Sequence, residues 1–398
     1  MGSSGYSGGF RRTFLDNASS SFPRAPGIKA ALNDYLNSGI GNIGRGQYRS
    51  AYDLEEKVMA AREAIAAFFN AHDPSAVVFT SGGTASLNMF LKGFLKKGDH
   101  VIVSPLEHNA VMRPLDDLRA KGVIEYSIAP IKDGVVVASG LEPLIRPNTK
   151  AVICNHASNV SGSVQDIEAV GMTAHEHGLA FCVDSCQSAG CVGIDVRKSH
   201  IDFLAFTGHK GLLGLPGIGG AVVGGIAVEP LIRGGTGSLS DSFDMPVFLP
   251  DRFEAGTQNI PGILSVGCGI DFINSVGLDK IRSYKRELRK RFIGLISKGK
   301  LAEFVSAVGS EDIENVGIVS ISVKSHDIAC IANALDMEYG VCTRVGLQCA
   351  PLAHKSLGTF EGGGTIRFSF SYFNTVEDVE IAVAALSDIV SGVHVKTR

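Results

Sequence analysis

Lys210 directly follows the apolar run DFLAFT and sits between His209 and Gly211, with Phe206 and Leu212 close in sequence. An amine in such a place is partly withdrawn from water, which disfavours the ammonium and favours the neutral nucleophile that forms a Schiff base with a carbonyl. A lone lysine is usually a solvated surface group, so its neighbours must carry the case. Asp184 ends the run LAFCVD with Gln187 just beyond it; His108 follows HVIVS, Asn159 follows AVICN, and Thr207 closes DFLAFT. The segment SGGTASLN puts Gly82, Gly83 and Thr84 at the start of a helical pattern, where backbone N–H groups favour an anion.

Amine, carboxylate, imidazole and anion cradle together suit pyridoxal phosphate. Lys210 would bind its aldehyde, and Asp184 would keep the pyridine nitrogen protonated so that the ring draws electrons. Gly83, Thr84, Thr207 and His209 would hold the phosphate. Gln187 could reach the phenolic oxygen, and His108 could stack on the ring. Plainer roles exist, with Asp184 as a helix or turn cap and His108 as a satisfied loop histidine.

The elements that must position these residues are legible as a pattern. Short apolar runs alternate with amphipathic stretches: AVVFT, SLNMFLKGFL, HVIVS, AVMRPLDDLRA, AVICN, IEAVGMTAHEH, LAFCVD and DFLAFT. This order predicts an open α/β sheet, and its unbroken apolar strands predict a largely parallel sheet buried on both faces. Ligands bind such sheets at the carboxyl ends of strands, where the polar residues above fall. After about Pro261 a charged helical stretch, GLDKIRSYKRELRKRFIGLI, precedes the shorter strands VGIVSISV and TIRFSF, which predicts a smaller α+β domain. The expected division is a flexible tail over 1–13, a large cofactor-binding domain over 14–261 whose first residues pack on the small one, and a small C-terminal domain over 262–398.

Composition narrows the partners. With 45% apolar and 19% charged residues in 398, the chain has ample material for buried cores, and its formal net charge of −3 leaves no footprint for nucleic acid or an anionic membrane. A small-molecule partner is expected. Eight dispersed cysteines read as reduced thiols in cytoplasm. Cys182, Cys186 and Cys191 lack the CxxC spacing of a zinc site, and no metal is expected. Residues 211–228 carry no charge, but their glycines and Pro216 predict a loop and a buried strand rather than a membrane span. The glycines of GIGGAVVGG lack the spacing, following helix and acidic partner of a dinucleotide site.

The blocks DNASSSFP, TSGGT, LEHNA, ASNVSG, VDSCQSAG, FTGHKGLLGLPGIG, EAGTQN, RVGLQCA and TIRFSFSYFNT occur in the order found in class V aminotransferase-fold enzymes. The chain resembles most their cysteine desulfurase and selenocysteine lyase branch, from about Phe14 to the last helix. The resemblance implies fold type I of the pyridoxal phosphate enzymes, with a mostly parallel seven-stranded sheet and a smaller α+β domain. It implies that Lys210 carries the cofactor, Asp184 meets its pyridinium, Gln187 its phenolic oxygen and His108 its ring face. Thr84, Thr207 and His209 match phosphate ligands. Thr257 matches a residue that reaches the phosphate of a neighbouring subunit, which implies a homodimer with shared sites. Asn159 and Arg367 match groups near the substrate carboxylate, a task suited to the guanidinium fork.

Cys349, in RVGLQCA, matches the nucleophile that takes sulfur from L-cysteine as a persulfide and leaves L-alanine, with a sulfur-acceptor protein as a further partner. Selenocysteine would fit the same site. Such a cysteine must be accessible and deprotonated, whereas most cysteines are buried and inert. Family members often carry histidine just before it. Here Gln348 stands there, which removes one acid or base, and His354 reads as a solvated loop histidine. Other class V reactions, among them cysteine β-elimination, epimerisation and transamination, use the same fold and cofactor ligands, and a non-catalytic scaffold is a third reading.

Overall fold

The structure is a computed structural model and describes residues 12–38, 41–324 and 326–392. The expected flexible tail lies outside the described residues up to residue 11, while Thr13 already belongs to a strand. In chain order the elements are β1 (Thr13–Phe14), α1 (Ile28–Ser38), α2 (Arg49–Phe68), β2 (Val77–Thr80), α3 (Gly83–Phe94), β3 (Asp99–Val103), α4 (Asn109–Ala120), β4 (Ile124–Ile128), β5 (Ile131–Lys132), β6 (Val135–Val136), β7 (Thr149–Asn155), α5 (Ile167–Glu176), β8 (Ala180–Asp184), β9 (Phe203–Thr207), β10 (Gly219–Val223) and α6 (Ile260–Val276). There follow α7 (Leu278–Ile296), α8 (Leu301–Phe304), β11 (Val305–Ala307), β12 (Ile318–Val323), α9 (Ile328–Tyr339), β13 (Val341–Cys342), β14 (Arg344–Gly346), α10 (Pro351–Ser356), β15 (Thr365–Ser369) and α11 (Val376–Val390).

Seven strands form one sheet in the order β2-β10-β9-β8-β7-β3-β4. Only β10 runs against its neighbours, so the sheet is mostly parallel, as the alternation predicts. Successive side chains on a strand face opposite ways. Phe181, Val183, Leu204 and Phe206 therefore join α2, α5 and α6 in one core, while Cys182, Phe203 and Ala205 join α3 and α4 in another. Both faces are covered, which is why these strands read as unbroken apolar runs. Among the described residues no single helix is long and apolar enough to cross a membrane.

The C-terminal region is built on a second sheet, ordered β11-β12-β15-β14 and antiparallel throughout. It packs against α7, α9 and α11 around Leu288, Phe292, Phe368 and Leu386. The first strand of the chain joins this region: β1 pairs with β13, and Leu15 enters its core. Helix α6 instead supplies Ile263, Val266, Ile270 and Ile273 to the first core. On this packing we propose that the division of the two regions lies in the turn at Gly277, between α6 and α7, rather than at residue 261.

One buried ion pair fixes the rim of the large sheet. Arg62 grips Glu254 through two N–H bonds of 2.9 and 2.8 Å, and Glu254 also accepts the Phe79 N–H at 2.7 Å. The Arg62 guanidinium lies 4.6 Å from the Phe79 ring centroid. This joins α2, β2 and the segment leading to Thr257.

Candidate active site

The parallel strands β2, β3, β7, β8 and β9 all end on the same side of the sheet, and there a cavity of about 220 Å³ opens. Gly83, Thr84, His108 and Asn159 line it, facing Asp184, Gln187, Thr207, His209 and Lys210. Residues scattered over 83–210 in the sequence thus share one wall because successive crossovers return each strand end to the same edge.

Asp184 closes β8 opposite Asn155 of β7, and one of its oxygens accepts the Cys186 N–H at 2.9 Å. Gln187 donates one amide hydrogen to the Ala18 carbonyl at 2.9 Å, which leaves a second for a ligand. His108 caps α4 by accepting the Ala110 N–H on Nδ1 at 3.0 Å. Its proton therefore sits on Nε2, and burial and the nearby Lys210 charge hold the ring below its ordinary value, in the neutral state. Burial, with Lys210 and Arg24, pushes His209 down to about 4.

Several groups in or behind the wall carry no assignment to it from the sequence. The Ser21 N–H donates to the His209 carbonyl at 2.9 Å, the Ser21 hydroxyl to the Lys210 carbonyl at 2.8 Å, and Arg24 to the carbonyls of His209 and Gly214 at 3.0 and 2.9 Å. The polar block DNASSSFP and the arginine after it are the only hint of this brace. Glu107 is fully buried and accepts the Asn155 N–H; burial, and then the Asp184 charge, raise its carboxyl well above the usual range. Cys186 also lines the cavity, and its thiol is raised well above its usual range, by burial first and Asp184 second.

The wall fits a phosphate-bearing ligand with polar edges. Asn159 Oδ1 and His209 Nδ1 are buried and have no hydrogen-bond partner among the described residues. Helix α3 starts at the cavity with no side-chain cap on its N–H groups, so an anion there meets both free donors and the helix dipole. Gly83 has no room for a side chain, since a Cβ would lie 2.1 Å from Cys186 Sγ.

Three further residues of the sequence reading stand apart from this wall. Thr257 is exposed, beyond the Arg62–Glu254 pair. Arg367, on β15, is only 3% exposed and donates to the Asn159 carbonyl at 2.8 Å, to Asp16 at 3.0 Å and to the Ser19 hydroxyl at 2.9 Å. Its Nε has no partner among the described residues. Cys349 is exposed in the turn after β14, in which the Ala350 N–H donates to the Leu347 carbonyl at 2.8 Å. Both central residues of that turn, Gln348 and Cys349, have positive φ, 43° and 58°. This conformation costs an L-residue about 1–2 kcal/mol. Asn159 and Asn109 bind the turn to the cavity rim: Asn159 Nδ2 donates to the Gln348 carbonyl and the Asn109 N–H to the Cys349 carbonyl, each at 2.8 Å.

His354 corrects an expectation. It is not a solvated loop histidine but a fully buried residue of α10, with Nδ1 2.7 Å from the Thr359 hydroxyl and Nε2 3.1 Å from Gln348 Oε1. The stretch PLAHKS folds as a helix because Pro351 opens it and Ala353 and His354 pack inward.

The sequence profile of the Aminotransferase class-V family matches residues 13–381. A probable cysteine desulfurase from Methanothermobacter thermautotrophicus is 34% identical over 384 residues, covering 94% of each chain. One from Pyrococcus abyssi is 31% identical, over 96% of this chain and 95% of its own. Among solved structures, the apo cysteine desulfurase of Thermococcus onnurineus NA1 superposes with a TM-score of 0.88 at 31% identity, over 96% of this chain and 95% of that one. An Escherichia coli cysteine desulfurase bearing an S-sulfonic acid does so with a TM-score of 0.85 at 26% identity, with the same coverage.

Proposed function

Because this chain belongs to the Aminotransferase class-V family, whose members depend on pyridoxal phosphate, we propose that it is a cysteine desulfurase holding that cofactor on Lys210. When bound, the cofactor supplies an electron sink for negative charge at the substrate Cα. Asp184 holds a proton at the pyridine nitrogen, and Gln187 donates to the phenolic oxygen. The N-terminus of α3, with Gly83, Thr84, Thr207 and His209, binds the phosphate. Arg367 and Asn159 hold the substrate carboxylate, Arg367 sharing its charge between that group and Asp16. The Lys210 amine takes the proton from Cα and returns one at the end. His108 offers the proton on Nε2 near the reacting carbons. The thiolate of Cys349 attacks the sulfur of L-cysteine; an S–S bond forms, the carbon–sulfur bond breaks, and its electron pair stays on Cβ, which is then protonated to give L-alanine.

The observation that carries this reading is the exposed thiol of Cys349 on a turn tied to the cavity through Asn159. Selenocysteine suits the same groups. The homodimer in which Thr257 reaches the partner's phosphate, and a sulfur-acceptor protein docking over Cys349, belong to the same proposal, as does a cytoplasmic location. Incubation with L-cysteine and a reductant tests it. Wild type should release equal amounts of sulfide and alanine, and Cys349→Ala should form neither above background. Equal alanine from both proteins, or pyruvate in place of alanine, would overturn it.

A further inference from the structure

Gln348 stands beside Cys349 but points the other way. It is 6% exposed, and its amide is fully engaged inside the fold. Nε2 donates to the Thr365 carbonyl and lies 3.0 Å from both the carbonyl and the hydroxyl of Thr365, while Oε1 is 3.1 Å from His354 Nε2. His354 in turn is anchored by Thr359, whose carbonyl accepts the Gly364 N–H at 3.0 Å. Gly364, at φ 107°, rests on β14 so closely that a Cβ would lie 2.2 Å from the Gly346 carbonyl oxygen. Thr365 then starts β15, the strand that carries Arg367. One hydrogen-bonded chain of buried groups therefore runs from the strand holding Arg367 to the residue before the thiol.

Two consecutive residues at positive φ persist only where their surroundings over-determine them. The carbonyls of Gln348 and Cys349 are held from the cavity side by Asn159 and Asn109, and the Gln348 side chain is held from the interior by Thr365 and His354. With both of its amide ends buried in this network, Gln348 has no group to give a proton to, or take one from, a reacting atom.

We propose that Gln348 is a positioning residue: its buried amide network holds the 348–349 turn in its left-handed form against the cavity rim and so fixes where the Cys349 thiol stands. The role rests on the desulfurase reading for its consequence in turnover, but the conformation it imposes is measurable without substrate. An amide does here by geometry what an acid or base cannot do from a buried, satisfied position.

The test compares Gln348→Ala with Gln348→Gly in the cofactor-loaded protein. Alanine loses the network and keeps the left-handed penalty; glycine loses the network but adopts positive φ freely. Misplacing a reacting group by about 1 Å costs roughly 100-fold in rate. Gln348→Ala should therefore lower kcat for alanine formation by roughly 10- to 100-fold with KM within about two-fold, and Gln348→Gly should fall between it and wild type. Without substrate, amide hydrogen exchange at Asn109 and Ala350 should accelerate at least roughly ten-fold in Gln348→Ala, less in Gln348→Gly, and not at all in β2 and β9. Equal losses in the two variants, a loss expressed in KM, or unchanged exchange at Asn109 and Ala350 would overturn the proposal. If Cys349→Ala retains alanine formation, the desulfurase reading fails, and the exchange comparison still decides the role of Gln348 in the turn.

Discussion

Lys210 and Cys349 both stand just past the end of a strand. β9 lies inside a seven-stranded sheet with neighbours on both sides, while β14 is a three-residue edge strand that ends in a turn with two residues at positive φ. β9 is placed by ladders to β8 as far as Ala205 and to β10 as far as Thr207, and the carbonyls of His209 and Lys210 are then braced by Ser21 and Arg24. Cys349 has one ladder partner strand nearby, and the rest of its support comes from Asn109, Asn159 and the buried Gln348 amide. A side chain continuing an interior strand is held by the sheet itself. One on an edge turn depends on contacts from elsewhere, so the two ends should fail differently.

The largest effect expected is at the sheet end. Lys210→Ala should remove the visible absorption of the bound cofactor and lower alanine formation by at least roughly 10⁴-fold, the upper range for one positioned acid–base group. Cys349→Ala should keep that absorption. A cofactor band in Lys210→Ala that borohydride still fixes covalently to the chain would show that the cofactor is not held there.

Arg62→Ala probes the frame behind that end. It leaves Glu254 buried without its counter-charge, and breaking such a pair costs about 3–5 kcal/mol. Urea unfolding should register this loss. A change below about 1 kcal/mol, the size seen for surface pairs, would show that the rim does not rely on the ion pair.

Acid provides a third contrast, because His156, just after β7, is 4% exposed and burial pushes it down to about 4 from 6.5. Above pH 6.5 neither folded nor unfolded chain protonates it, and its full contribution is present. Between 6.5 and about 4 the unfolded chain binds a proton that the folded one excludes, so stability falls with pH by about 3 kcal/mol and then levels off. His156→Asn should lose this part of the slope. An unchanged slope would assign acid sensitivity to other groups.

Gly364→Ala should have the smallest effect on the cofactor end, while overpacking against the Gly346 carbonyl costs about 1–3 kcal/mol and a side chain at positive φ about 1–2 kcal/mol more. Its cofactor absorption should be that of wild type while persulfide on Cys349, read by mass spectrometry, declines. Loss of cofactor in this variant would mean that the two ends are coupled more tightly than their separate supports imply.

Much of the cavity is legible in the sequence. Asp184, Thr207 and Lys210 end or follow apolar runs, and Gly83 and Thr84 open a helix after one; in a parallel sheet those places converge. The brace from Ser21 and Arg24 is not legible, because a polar N-terminal block carries no period that says which strand end it meets. Nor is the burial of His354. Its six-residue helix is too short for a clear pattern, and what makes it interior is contact with Thr359 and Gln348. Helix α6 reads as the start of a new region, yet its apolar face packs on α1 and α2.

By itself the sequence determined the alternating α/β architecture, the side of the sheet on which the cavity opens and most residues of the cavity wall, because apolar periodicity and strand ends are local properties. Tertiary structure decided the state of the thiol segment. Arg367 finds Asp16 across nearly the whole chain, and Asn159 finds Gln348, through contacts that no local pattern encodes. A residue forced into a left-handed turn looks like any other in a string of letters; only the groups that hold it there show that it is held.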